Sequence, residues 1–453
     1  MTATAQQPSA VGGFPTGFRF GAATAAYQVE GAAREDGRGE SIWDRFSHKP
    51  GAVVNGDTGD VACDHYHRWA SDVDLMASLG LESYRFSISW PRVQPDGRGA
   101  FNPRGIGFYR RLVEGLLERG IEPVATLYHW DLPQARQDAG GWAVRDTALR
   151  FAEYAAMMAS ELGDVVEGWI THNEPWVVAF LGHAVGRKAP GVRDWPTALT
   201  VAHHLLLSHG LAVDALRSSV RAPVGITLNL NPMRGSEAAV ARMDAHQNRW
   251  FLDPVLRGVY PVEMLEHYER VFGPLSSLNP EDLDVISRPI DFLGVNYYNP
   301  TLVRESAELP LLAETVPARG PNTTAMGWPV DASGLYDLLL RLRADYGDLE
   351  IWITENGAAY DDERLVDGVV EDPSRVAFLR DHLEALRRAA VDGVRVRRYH
   401  AWSLLDNFEW EHGYAKRFGI VRVDFETQSR TLKRSALWYR DHIREVRRGV
   451  DRV

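Results

Sequence analysis

Two glutamates have the type and setting for acid–base chemistry. Glu174 lies in Thr171-His172-Asn173-Glu174-Pro175, and Glu355 in Ile353-Thr354-Glu355-Asn356-Gly357. Each ends a β-branched, aromatic-rich run, residues 165–170 and 350–353, that reads as a buried strand. The Asn, Pro and Gly around each carboxylate read as the exit from that strand into a loop. Two carboxyls at the ends of two strands of one barrel face each other across a sugar ring, as acetal cleavage requires. A separation of roughly 5–5.5 Å would let one attack directly with retention; about 6.5–9.5 Å would admit a water and give inversion. Glu355 must stay ionised to attack, and Arg85 with Tyr298 are the groups expected to stabilise its charge. Glu174, facing that charge in a closed site, is expected to have a raised pKa and to act as the acid.

Elements that could hold such a pair recur along the chain. Strand-like apolar runs fall at 18–24, 83–89, 122–128, 165–172, 224–230, 291–298, 349–355 and 397–403. Amphipathic helical patterns lie between them, at 69–79, 106–119, 148–162, 198–218, 332–346 and 373–391. Strand–helix alternation repeated eight times predicts an α/β fold, a single (β/α)8 TIM barrel with its chemistry in the loops after the strands. Segments 34–59 and 303–328 are expected to be long loops over that C-terminal face. The strand tips carry polar or aromatic groups: Gln28, Arg85, His129-Trp130, Asn173-Glu174, Asn296-Tyr297-Tyr298, Glu355 and Trp402. No composition break suggests a linker. Residues 1–13 are expected to form a loose tail and 14–453 one catalytic domain.

Composition narrows the class. The 453 residues carry a formal net charge of −11, which argues against a nucleic-acid partner. Fourteen Trp and sixteen Tyr suit a sugar site, where rings stack on C–H faces and polar groups take the hydroxyls. The single cysteine, Cys63, excludes an intrachain disulfide and fits a reducing compartment. The N-terminal residues lack the pattern of a signal peptide, and no apolar run approaches the length of a membrane span. A soluble cytoplasmic enzyme with no membrane partner is the expectation.

Other features invite different chemistry. Asp64-His65-Tyr66-His67 has the His-x-His form of a metal-dependent hydrolase, and His203, His204 and His209 are closely spaced. Neither His65 nor His67 lies on a predicted strand tip, so these histidines are expected to cap or pack helices, with no metal in the site. Lys416-Arg417 is expected to stabilise a loop, not bind an anion. The glycine pairs form no nucleotide fingerprint after a strand, and no cofactor is expected.

The chain resembles the glycoside hydrolase family 1 β-glucosidases nearly end to end. The resemblance rests on an ordered set: residues 18–31, Ser41-Ile42-Trp43-Asp44, residues 84–92, Asn173-Glu174-Pro175, Thr354-Glu355-Asn356-Gly357 and residues 402–410. It implies a retaining β-glucosidase acting by double displacement on terminal β-D-glucosyl residues of cello-oligosaccharides or of aryl or alkyl glucosides. Glu355 would be the nucleophile and Glu174 the acid/base. Gln28, His129, Trp130, Asn173, Glu409 and Trp410 would hold sugar hydroxyls, and Trp402 would lie beneath the ring. Asn296 and Tyr298 would steer the nucleophile, Trp328 would form a platform for the leaving group, and Phe418 would border C6. Side activity on β-galactosides or β-fucosides is also implied.

Retention of Glu409-Trp410 favours an unphosphorylated sugar, because family members acting on 6-phosphoglycosides tend to carry smaller residues there. Glutamate at 174, where plant thioglucosidases of the family carry Gln, favours O-glycosides. Gly186-Arg187-Lys188-Ala189-Pro190-Gly191 and Ala332-Ser333 depart from the usual pattern, the first by placing two cations by the leaving-group side. A transglycosylase using the same intermediate, a metal-dependent barrel hydrolase and a catalytically silent sugar-binding protein are the rival readings. Oligomeric state is left open.

Overall fold

The structure, a computed structural model, describes residues 13–318, 320–362 and 364–450. The expected N-terminal tail lies outside the described residues apart from Gly13, which sits in a turn. Eight strands close into one barrel in sequence order: β1 (Arg19–Ala23), β2 (Ser83–Ser87), β3 (Glu122–Tyr128), β4 (Gly168–Asn173), β5 (Val224–Asn229), β6 (Phe292–Asn296), β7 (Glu350–Asn356) and β8 (Arg395–Trp402). Every neighbouring pair is parallel, and β8 closes against β1 from Arg19–Arg398 to Ala23–Trp402. All eight expected strands are present, with ends shifted by at most three residues. The expected fold class is therefore the observed one.

Parallel strands wrapped by helices are buried on both faces, so their sequences are almost continuously apolar. Inside the barrel, Val124, Ile170, Phe292 and Trp352 form a separate buried cluster. The Phe292 and Trp352 rings stack at 3.6 Å between centroids, and the Arg398 guanidinium caps Trp352 from 4.5 Å. This plug lies N-terminal to the chemistry-bearing residues of the same strands and closes the barrel beneath them.

Outside it run the helices His65–Ser78, Pro103–Glu118, Asp146–Leu162, Trp195–Arg217, Ala332–Tyr346, Pro373–Val391 and Arg434–Val450. Trp195–Arg217 corrects one expectation. By length and composition it is apolar enough to span a membrane, but it packs against Asp146–Leu162, β4 and β5 and is mostly buried. A helix covered on several faces needs no polar stripe, which is why it is apolar almost all round.

The long segments over the C-terminal face also hold more structure than expected. Segment 34–59 contains the helix Ile42–Ser47, whose capping box joins Ser41 and Asp44. Segment 303–328 enters a small sheet of Met233–Gly235, Thr301–Glu305 and Ala313–Thr315. Between β5 and β6 the crossover is divided among the helices Glu237–Asp244, Trp250–Arg257, Val262–Phe272 and Leu283–Ile286.

Candidate active site

Arg85 organises the centre. Its Nε donates to Thr126 Oγ1 on β3 at 3.1 Å, and Nη2 donates to Asn173 Oδ1 on β4 at 2.6 Å. On β7, its Nη1 donates to the Thr354 carbonyl at 3.0 Å and to Glu355 Oε1 at 2.6 Å. One guanidinium thus spans strands of half the barrel and is itself buried. The second Glu355 oxygen, Oε2, accepts from the Tyr298 hydroxyl at 2.6 Å. Charge-assisted donors on both oxygens fix the carboxylate's orientation.

Glu174 leaves β4 with a left-handed backbone, φ 51°, while its N–H donates to the Thr227 carbonyl at 2.9 Å. That conformation costs a non-glycine residue about 1–2 kcal/mol and turns the side chain off the strand line. Asn296 Nδ2 donates to Glu174 Oε1 at 2.6 Å and to Asn173 Oδ1 at 3.0 Å. Its own Oδ1 accepts from Thr354 Oγ1 at 2.7 Å. The resemblance has Asn296 steer the nucleophile; here a hydrogen bond from Asn296 helps to lower Glu355, and its amide also donates at short distance to Glu174. Register allows both contacts, since Asn296 pairs with Asn229 on one side and with Glu355 on the other.

Burial sets the electrostatics. It pushes Glu174 up to about 8, and the neighbouring charge of Glu355 adds to the rise. Glu355 is also raised by burial, but Arg85, Tyr298 and Asn296 pull it back down. Of the two, Glu355 therefore gives up its proton first, as expected, though from a raised starting point.

A polar group stands beside the carboxyls. His129 lies well below its ordinary pKa, because of burial and of the Arg85 charge, so it is neutral. Its Nε2 accepts from Asn173 Nδ2 at 3.0 Å, which leaves the proton on Nδ1. Gln28, on the short helix Ala26–Val29, donates from Nε2 to the Phe408 carbonyl at 2.9 Å and to Glu409 Oε2 at 3.4 Å. Among the described residues, His129 Nδ1 and Gln28 Oε1 are buried without a protein partner. A buried donor and a buried acceptor left unpaired by the protein are suited to a ligand rich in hydroxyls. Burial pushes Glu409 up to about 8, with Lys188 opposing the rise.

Aromatic rings frame this group. Trp130 and Trp410 have centroids 4.5 Å apart, and His129 stacks on Trp402 at 5.9 Å and on Trp410 at 6.0 Å. Trp130 and Trp410 share the left-handed backbone of Glu174, at φ 78° and 49°. Strained non-glycine residues clustered at one rim are typical of functional sites. Trp402 and Phe418 pack in one apolar cluster with Tyr298 and Trp328. The Trp328 ring lies 5.4 Å from Tyr298 and 6.1 Å from Phe418, so it belongs to the wall beside Glu355. All the expected site residues thus fall into one connected region.

Sequence reasoning missed several supports. Thr126, Thr227 and Thr354 link strands of the barrel interior beneath the carboxyls, and Asn407 Oδ1 accepts from Gln28 at 3.1 Å. Alternation along the strands could have signalled the threonines, since polar residues inside a barrel need a partner there. The suspected metal histidines have structural partners: His65 bonds Asp72, His203 bonds Tyr260 and Asp282, His204 bonds the Trp142 carbonyl, and His209 bonds Thr171. His67 lies between Asp64 and Glu35. Lys416 donates to the Ala325 carbonyl at 2.6 Å and Arg417 to Asp406 at 2.7 Å, the loop-holding role expected of them.

Known proteins match this chain along almost its whole length. The family model "Glycosyl hydrolase family 1" covers residues 11–447. "Beta-glucosidase A" of Acetivibrio thermocellus is 49% identical over 440 residues, spanning 95% of this chain and 98% of that one. A "Bifunctional beta-D-glucosidase/beta-D-fucosidase" of Bifidobacterium breve is 48% identical, spanning 95% of this chain and 98% of its own. Among solved structures, a family 1 β-glucosidase of Thermotoga maritima in complex with isofagomine lactam superposes with a TM-score of 0.92 at 46% identity, covering 95% of this chain and 98% of that one. A barrel of this topology, two buried carboxyls at the tips of β4 and β7, and full-length similarity agree: the chain belongs to glycosyl hydrolase family 1.

Proposed function

We propose that this enzyme is a retaining β-glucosidase that releases terminal, non-reducing β-D-glucosyl residues, with Glu355 as nucleophile and Glu174 as acid and then base. The observation that carries the reading is the unequal pair. Glu355 is fixed by two charge-stabilising donors, Arg85 and Tyr298, while Glu174 is held protonated to about pH 8 by burial and by Glu355 itself.

In the first step, Glu355 attacks the anomeric carbon as the bond to the leaving oxygen breaks and Glu174 gives that oxygen its proton. Formation of the glycosyl ester removes the charge of Glu355. The repulsion that helped to hold a proton on Glu174 is gone, and the residue becomes the base that takes a proton from water. Water then displaces the Glu355 carboxylate at the same carbon, and Glu174 regains its proton. Two displacements return the β configuration.

Gln28, His129, Trp130, Asn173, Glu409 and Trp410 are assigned to the sugar hydroxyls, and Trp402 to the face of the ring. Phe418 is assigned to the C6 side and Trp328 to the leaving group. Bidentate polar contacts discriminate sugar epimers because a misplaced hydroxyl leaves buried groups unpaired. Cello-oligosaccharides and aryl or alkyl β-glucosides are the substrate class, with β-fucosides as a secondary one by analogy with the bifunctional relative. Release of p-nitrophenol from p-nitrophenyl β-D-glucoside, with the first-formed sugar followed by proton NMR, tests the reading. β-Glucose should appear before mutarotation; α-glucose as the first product would refute double displacement.

A further inference from the structure

Loop 186–191, with its two unusual cations, meets the active site through Lys188. That side chain is only 11% exposed, and its Nζ donates to Glu411 Oε2 at 2.6 Å. The same ammonium lies 5.2 Å from the centre of the Trp130 ring and 5.9 Å from that of Trp410. A desolvated ammonium persists only with a partner, and one gripped by a carboxylate and two aromatic faces has little freedom to move.

We propose that Lys188 is a positioning residue for the reaction, a fixed cation clamped by Glu411, Trp130 and Trp410 that balances the charge of Glu174 and Glu409. This inference rests on the role proposed above for Glu174. Nothing in the resemblance requires lysine here.

The charged and titratable groups around it define what it does. Glu174 feels Glu355 from β7, Arg85 from β2, Tyr298 beyond β6 and Lys188 from the loop after β4. Arg85 acts on Glu174 more strongly than Lys188 does, but Lys188 is the leading cation at Glu409 and adds to the effect on Glu174. Glu411 in turn faces Arg187, 60% exposed at 3.3 Å, and His412 at 4.0 Å; Lys416 also faces His412. A nearby cation favours the ionised form of a carboxyl. Removing it therefore lets Glu174 keep its proton to higher pH, so the alkaline limb of activity moves up. It also leaves Glu409 less ionised at any given pH, a weaker acceptor for sugar hydroxyls, so KM rises.

The test is the pH dependence of kcat/KM on p-nitrophenyl β-D-glucoside for wild type, Lys188→Gln, Lys188→Arg and Glu411→Gln. Lys188→Gln should move the alkaline limb up by about half to one pH unit and raise KM. Lys188→Arg, which keeps the charge, should restore the wild-type limb. Glu411→Gln frees the cation from its anion and should move the limb down. An unmoved limb in Lys188→Gln, or upward shifts in both neutral variants, would overturn the proposal, because the loop would then be acting by packing and not by charge. Should Lys188→Gln fail to fold, Glu411→Gln decides: a lowered limb supports the proposal, and an unmoved or raised one overturns it. No turnover by the wild-type enzyme would instead refute the reading of the site on which the proposal rests.

Discussion

At the scale of single residues, Glu174 and Glu355 divide one task because their neighbours differ. Both are buried, which raises both, yet only Glu355 has an arginine and a phenol on its oxygens. The consequence is a bell-shaped pH profile of kcat/KM. Activity needs Glu355 ionised, so it falls as pH drops through a limb lying above the ordinary glutamate value of 4.5. It needs Glu174 protonated, so it falls again as pH rises through about 8. An alkaline limb at ordinary carboxylate values, read from rates in constant-ionic-strength buffers, would contradict this division. The identities of both carboxyls, of Arg85 and of Tyr298 were legible in the sequence, since each lies in or just after a strongly patterned strand. The added bond from Asn296 to Glu174 was not. That bond depends on strand register, and register is a property of pairing between segments distant in the chain.

At the scale of elements, the eight strands were legible because a parallel strand buried on both faces must be written in apolar residues. Their ends were less so, since the last residue of a strand is decided by its neighbour. The small sheet over residues 301–315 and the divided β5–β6 crossover escaped notice because their short, half-exposed strands and broken helices carry little periodicity. Lys188 and Glu411 illustrate the same limit: the two are 223 positions apart, and only the fold brings them together. The seam between β7 and β8 is where an element decides the site. Gly357 follows Glu355, and a Cβ there would stand 1.7 Å from the Trp402 carbonyl oxygen. That atom is backbone in the strand pair carrying both Glu355 and Trp402, so it can yield only if the strands move apart. Gly357→Ala is expected to cost about 3 kcal/mol or more and to lower kcat along with stability. A thermal midpoint and activity both unchanged would show that the seam can relax.

At the scale of the molecule, the barrel is a closed frame with a sealed end and an open one. The Phe292–Trp352 plug fills the interior toward the strand N-termini, and the chemistry collects at the opposite rim. Strand ends and the loops after them deliver Gln28, His129, Glu174, Tyr298, Glu355, Glu409 and Trp410 to one place, which no shorter segment of the chain could do alone. The account as a whole depends on one of these being the covalent nucleophile. The most direct test is p-nitrophenol release from p-nitrophenyl β-D-glucoside by Glu355→Ala with and without azide. The account predicts a loss of about 10³-fold or more without azide, and recovery with azide that yields α-glucosyl azide. Full activity in the variant, or azide rescue giving the β-azide, would contradict it.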